Sequence, residues 1–255
     1  MGLTPATLFG SNRTAPAVTQ VYGISGTGKS YFLAEMLKAT RVKDMGPHWR
    51  AVVFDIKWDG YQHLVEGKKK PGVCYTFEQF VRSFTKNKIT VIHPEMEDAH
   101  EFLDDVIAHL FDTAKRLDDF SATLILEECS TFIGSHAAAI PNSIKRFATQ
   151  GRSLGLSILL ANQRTLTNKW TDTQSQRIIY FRSAIPDFQM LSKKWGIDGQ
   201  ALDQRLSTKK FSFAEFDLES LELRFYDPLP GPKEKSVKAP REVGNSEVVQ
   251  SDPEV

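Results

Sequence analysis

Short runs of apolar, often β-branched residues alternate along this chain with stretches in which apolar positions recur every three or four residues. That exchange is the signature of strands and amphipathic helices laid around a mostly parallel sheet. Val18–Tyr22 reads as a first strand, 29–40 as a helix, 51–56 as a second strand and 88–92 as a third. Between 97 and 118, Phe102, Leu103, Val106, Ile107, Leu110, Phe111, Ala114 and Leu117 fall at helical spacing, which predicts an amphipathic helix with one core face and a charged outer face. The continuous apolar runs 123–126 and 156–161 fit central parallel strands covered on both sides. Arg177–Phe181 is one more strand, and 210–216 with 221–226 predicts a closing β-hairpin. The polar, Pro- and Thr-bearing residues 1–17 read as a flexible arm, 18–227 as the folded domain, and 228–255, with five prolines and no aromatic residue, as a disordered tail.

Composition narrows the class without choosing a function. With 255 residues, 41% apolar and 25% charged, the chain suits one generous α/β domain, and wholesale disorder, collagen and coiled coil are excluded. Thirty-two basic residues against 31 acidic ones leave a net charge of +1, so any surface for a polyanion must be local. Cys74 and Cys129 stand far apart, without a Cys-x-x-Cys or His-Glu-x-x-His pattern. Both are expected to be buried thiols in a reducing compartment, with no disulfide framework or zinc site. Neither a signal peptide nor a membrane-spanning run is legible.

The chemistry starts at Gly23-Ile24-Ser25-Gly26-Thr27-Gly28-Lys29-Ser30, a match to G-x-x-x-x-G-K-[ST] set between an apolar strand and an amphipathic helix. Glycines let backbone N–H groups turn inward around phosphates, and the following helix offers them its positive dipole end. On this reading Gly23, Ser25, Gly26, Thr27, Gly28, Lys29 and Ser30 hold the nucleotide: Lys29 reaches the β- and γ-phosphates, and the Ser30 hydroxyl holds Mg²⁺. Leu124-Ile125-Leu126-Glu127-Glu128, an apolar strand ending in acids, is the candidate second nucleotide motif, expected to lie next to the phosphate-loop strand. The run 157–163 ends in Asn162 and Gln163, either of which can bond a γ-phosphate or an attacking water, with Gln163 preferred. Arg146, Arg152 and Arg164 are expected around the same edge as candidate arginine fingers for a neighbouring subunit.

Together with Val52-Val53-Phe54-Asp55-Ile56-Lys57, 151–163 and Ile178-Ile179-Tyr180-Phe181-Arg182, these strings resemble the FtsK/HerA superfamily of DNA-pumping ATPases. Within it, the resemblance is greatest to the genome-packaging ATPases of internal-membrane icosahedral viruses. It covers about residues 18–226 and rests on motif order and spacing. Two departures stand out: Glu127-Glu128 where the family usually has Asp-Glu, and Asn162-Gln163 where it usually has Thr-Gln. The resemblance implies a RecA-like P-loop NTPase fold of the additional-strand, catalytic-Glu type. Glu127 would bind Mg²⁺ through water and Glu128 would polarise the attacking water. It further implies ATP as fuel, a homo-oligomeric ring, a hexamer in the family pattern, double-stranded DNA as cargo, and capsid-vertex or membrane proteins as docking partners, in the host cytoplasm or at the virion's packaging vertex.

A sequence-independent grip on DNA needs only a few lysine or arginine contacts, which reconciles the net charge with that cargo. Lys68-Lys69-Lys70 is the densest basic run, followed by Lys193-Lys194 and Lys209-Lys210. Trp58, Trp170 and Trp195 are expected in packing roles, and His93 as a strand-end residue. Two other functions fit parts of the pattern: a nucleoside or small-molecule kinase, and a nucleotide-gated virion assembly or secretion factor.

Overall fold

A computed structural model of the chain describes residues 3–9, 17–58, 60–61, 64, 72–134, 139–164 and 168–229. Among the described residues, nine strands form one open sheet: β1 (Val18–Tyr22), β2 (Trp49–Phe54), β3 (Gly72–Cys74), β4 (Ile89–Ile92), β5 (Ser121–Leu126), β6 (Leu156–Asn162), β7 (Arg177–Phe181), β8 (Phe213–Asp217) and β9 (Glu222–Tyr226). Their order is β3-β4-β2-β5-β6-β1-β7-β8-β9. The first seven run parallel, and β8 and β9 are added antiparallel as the expected hairpin. This is the RecA-like P-loop arrangement. One detail differs from the sequence reading: the acidic strand β5 is not beside β1, because β6, the strand ending in the two amides, is inserted between them.

The helices are α1 (Pro5–Phe9), α2 (Lys29–Lys38), α3 (Val42–Met45), α4 (Phe77–Lys86), α5 (Ala99–Arg116), α6 (Asn142–Gln150), α7 (Lys169–Gln174), α8 (Ile185–Trp195) and α9 (Gly199–Ser207). Every residue of β1, β5 and β6 is buried, as parallel strands covered on both faces require. Alternation along them feeds two cores. Leu124, Leu126, Ile158 and Leu160 pack with α5 residues such as Val106 and Leu110, while Ile125, Leu159 and Val21 pack with Leu33 and Leu37 of α2. With every parallel strand pointing the same way, the ends of β1, β2, β5 and β6 meet at one edge, where open α/β sheets bind their ligands.

The sequence reading did not anticipate several elements, among them the short helices α1, α3, α6, α7 and α9, β3, only three residues long on the sheet's rim, and α4, capped by the Thr76 hydroxyl, which accepts from the Gln79 amide at 3.4 Å. The arm expected over 1–17 also needs correction. Leu8 and Phe9 of α1 are fully buried, and the Phe9 carbonyl accepts hydrogen bonds from the hydroxyls of Thr123 in β5 and Ser157 in β6. Ser157 can also donate to the Thr123 hydroxyl, at 3.1 Å, but the Thr123 hydroxyl donates to the Phe9 carbonyl, so α1 completes the middle of the sheet. The basic run 68–70 and the tail from 230 onward lie outside the described residues.

Candidate nucleotide-binding site

The loop after β1 takes its shape from two glycines. Gly23, at φ 154°, passes so close to β7 that a Cβ there would lie 2.6 Å from Cβ of Phe181. Gly28 adopts the left-handed region at φ 97° as N-cap of α2, a conformation costly for any other residue type. Lys29 turns back over the loop: its Nζ donates to the carbonyls of Gly23 at 2.6 Å and Ile24 at 3.3 Å. The side chain is buried, and loss of water lowers its pKa while Glu127 and Glu128 pull it back up. Thr27 braces the turn by donating its hydroxyl to the Ile24 carbonyl at 2.8 Å, and Ser25 and Gly26 stand exposed at the tip.

Facing the loop, β5 delivers its two glutamates to different places. Glu127 remains in line with the strand, donating its backbone N–H to the Phe54 carbonyl of β2 at 3.1 Å. Its carboxylate is buried and accepts from the Tyr61 hydroxyl at 2.7 Å and from Ser30. Burial is the largest influence on this carboxyl and, helped by the nearby Asp55, carries its pKa up to about 7 against the opposing pull of Tyr61, Lys29 and Ser30. Glu128 instead takes a left-handed backbone, φ 46° and ψ 47°, breaking from the strand direction. A non-glycine residue in that region is uncommon and is held there at a cost in backbone energy. Its Oε1 accepts from Lys57 Nζ at 2.5 Å and from Gln163 Nε2 at 3.1 Å. A cavity of about 230 Å³ opens among Ser25, Lys29, Ser30, Asp55, Glu127 and Glu128.

The two amides separate as well. Asn162 is buried, its Oδ1 accepting from the Ser130 hydroxyl at 3.0 Å and its Nδ2 donating to the Arg164 carbonyl at 3.1 Å, so it shapes the turn after β6. Gln163 is the amide that reaches Glu128. The three arginines do not share one edge. Arg152 lies in the short turn before β6, at the strand's opposite end from Gln163, and Arg146 rides on α6 with its guanidinium 4.3 Å from the Phe111 ring centroid. Of the three, Arg164 follows Gln163 at the strand end where the acids gather, and it is exposed. The earlier grouping fails because α6 and a turn carry the chain across the sheet before β6 begins.

Among the other basic pairs, Lys194 is tied to Asp172 at 2.5 Å and Lys209 to Asp227 at 2.9 Å. Trp170 and Trp195 pack against the core, Trp58 donates to the Pro94 carbonyl at 3.2 Å, and His93 is buried with Nδ1 3.2 Å from the Asp55 carbonyl. Cys74 and Cys129 are buried free thiols.

Three residues of this site were missing from the sequence reading's candidates. Asp55 follows β2 as Glu127 follows β5, and the register pairing Phe54 with Leu126 sets the two acids side by side. Lys57 and Tyr61 arrive on the same connection. A lone acid directly after an apolar strand was the available signal for Asp55; nothing local marked Tyr61.

No family model matches the sequence, and no curated protein matches it. Solved structures do share its fold. The genome packaging NTPase B204 from Sulfolobus turreted icosahedral virus 2, in complex with AMPPCP, superposes with a TM-score of 0.62 at 18% identity, over 84% of this chain and 98% of that one. VirB4 of Thermoanaerobacter pseudethanolicus gives a TM-score of 0.63 at 9% identity, over 87% and 91%. The cytoplasmic domain of the Thermomonospora curvata Type VII secretion ATPase EccC gives 0.54 at 16% identity, over 83% of this chain and 25% of that chain. What this chain shares with these neighbours is the fold.

Proposed function

We propose that this protein hydrolyses ATP in the cavity between the P-loop and the tips of β5 and β6, and that as a homo-oligomer it uses the energy to move double-stranded DNA, a viral genome into a preformed capsid. The observation that carries the reading is the convergence of Lys29, Glu127 and Glu128 on one cavity, with Gln163, at the end of the strand between theirs, hydrogen-bonded to Glu128. A glycine-rich turn that merely joined a strand to a helix would gather no such set.

The geometry supports a division of labour. The backbone N–H groups at the start of α2 and the Lys29 ammonium bind and orient the phosphates. Glu128 is the general base: its left-handed backbone turns the carboxylate out of the strand, and Lys57 and Gln163 fix it from two sides. Gln163, touching that carboxylate, orients the attacking water and bonds the terminal phosphate. A divalent cation fits the donors present, all hard oxygens: the Ser30 hydroxyl, hydrogen-bonded to the buried Glu127 carboxylate, with Asp55 alongside. Ser30 and Glu127 would hold Mg²⁺, which supplies neutralisation of phosphate charge when bound. Among Arg146, Arg152 and Arg164, a finger acting across subunits falls to whichever restores hydrolysis when finger-mutant subunits are mixed with Glu128→Gln subunits. Recruitment to a capsid vertex, by capsid or membrane proteins and from the host cytoplasm, belongs to the same reading. No described helix is long and apolar enough to cross a membrane.

The fold shared with VirB4 and EccC supports a second reading, a nucleotide-driven secretion or assembly factor. ATPase rate measured with and without duplex DNA, alongside particle mass, separates the two. Stimulation by DNA in an oligomer supports packaging; an oligomer that turns over ATP without regard to DNA supports the second reading; a monomer that never hydrolyses ATP removes both.

A further inference from the structure

Beyond the acidic flank of the phosphate cavity, the connections leaving β2, β3 and β4 bring three large apolar side chains to the surface. Trp58, Tyr75 and Met96 are 43%, 49% and 52% exposed. The Trp58 and Tyr75 rings meet edge to face with centroids 5.6 Å apart, and the buried His93 ring lies 5.7 Å from the first and 6.0 Å from the second. Trp58 has a left-handed backbone, φ 66°, where a bulky residue is rarely found, and its indole N–H is held by the Pro94 carbonyl. The two rings are therefore fixed before anything binds. A rigid, exposed Trp–Tyr pair is the composition of an interface anchor.

The rim selects the sign of the partner. Glu95, Met96, Glu97 and Asp98 follow Pro94 directly and are all exposed. From 94 to 105 the chain carries six acids and neither lysine nor arginine. None of Glu95, Glu97 and Asp98 is in an ion pair with a described residue. Acids around aromatic faces suit lysine and arginine, which such rings attract, and repel the phosphates of a nucleic acid.

The chain itself holds a segment of that kind. Lys233, Lys235, Lys238 and Arg241 against the single acid Glu234 give 233–241 a charge of +3. This segment starts from the same edge of the sheet as the platform: Tyr226, at the end of β9, pairs with Phe213, and Phe213 pairs with Phe181 at the end of β7. From β9 to β2 is six strand spacings, about 29 Å, and the twelve residues from Leu229 to Arg241 can span about 40 Å. The other basic run outside the described residues, Lys68-Lys69-Lys70, comes just before β3, at the opposite end of that strand from Tyr75.

We propose that the basic segment 233–241 docks on the Trp58–Tyr75 platform of its own chain, with a lysine or arginine on the rings and Glu95, Glu97 and Asp98 around it. So seated, the segment crosses the ends of β1, β6 and β5 and passes over the phosphate cavity, ending one residue from Lys57 and its bond to Glu128.

The test is photo-cross-linking of the full chain with p-benzoylphenylalanine in place of Val237, followed by peptide mass mapping. The expected product has the mass of one chain and joins position 237 to Trp58, Tyr75 or 94–98. Glu95→Lys, Glu97→Lys and Asp98→Lys together abolish it, as do Lys233→Glu, Lys235→Glu, Lys238→Glu and Arg241→Glu together, and combining the two sets restores it. Trp58→Ala lowers the yield even with the charges left in place. A cross-link elsewhere, none at all, or a yield indifferent to charge reversal overturns the proposal. A product with the mass of two chains gives the platform to a second copy and overturns it too.

Discussion

On one flank of the P-loop, Asp55, Glu127, Glu128 and Lys57 crowd a small polar cavity. On the other, Phe181, Phe211 and Phe213 line a larger one with few polar groups. The acidic flank is built from the tips of β2 and β5, whose central position fixes each side chain by packing and by neighbouring strands. The aromatic flank is built from β7 and the added hairpin toward the sheet's margin. The difference teaches where precision is required. Directional polar contacts depend on atoms placed within fractions of an ångström, whereas apolar surfaces meet with looser tolerance.

The sharpest way to break the contrast is Glu128→Gln, which keeps shape and removes the base. It should lower kcat by about 10²- to 10⁴-fold while nucleotide titration still shows binding. Equal turnover would move the base off the acidic flank. Next, Gln163→Ala should lower kcat by about a hundredfold, as removal of a preorganised donor does, with a much smaller change in KM under steady-state assay. Tyr61→Phe deletes a hydrogen bond to a buried carboxylate and should cost about 1–3 kcal/mol in urea unfolding. Lys57→Met should slow turnover about tenfold by loosening Glu128, with Lys57→Arg recovering part of the loss, since a displacement near 1 Å costs roughly 10². Asn162→Ala marks the boundary of the site: about 1 kcal/mol of stability is lost with its turn contacts, and single-turnover hydrolysis stays close to wild type.

Much of this layout was legible in advance because it is local. Val18–Tyr22 and Arg177–Phe181 coincide with strands of the structure, and the glycines of the loop declare a turn that few other residues can make. Glu127, Glu128 and Gln163 were visible as polar residues closing apolar runs. What stayed hidden depends on strand order. Asp55 becomes a site residue only when β2 is known to pair with β5, and Arg152 leaves the site only when the direction of β6 is known. The same holds for β6 itself: an apolar run does not announce that it will be inserted between β1 and β5. Phe211 was passed over as part of a strand, since alternation cannot reveal a left-handed backbone just ahead of it.

The seating of Phe9 has a practical side. Its carbonyl plugs a gap between two hydroxyls at the heart of the sheet, so trimming the opening residues as dispensable would uncork the interior and admit solvent beneath the strands that carry Glu127 and Gln163. An expression clone should therefore retain that segment, with any affinity tag separated from it by a spacer.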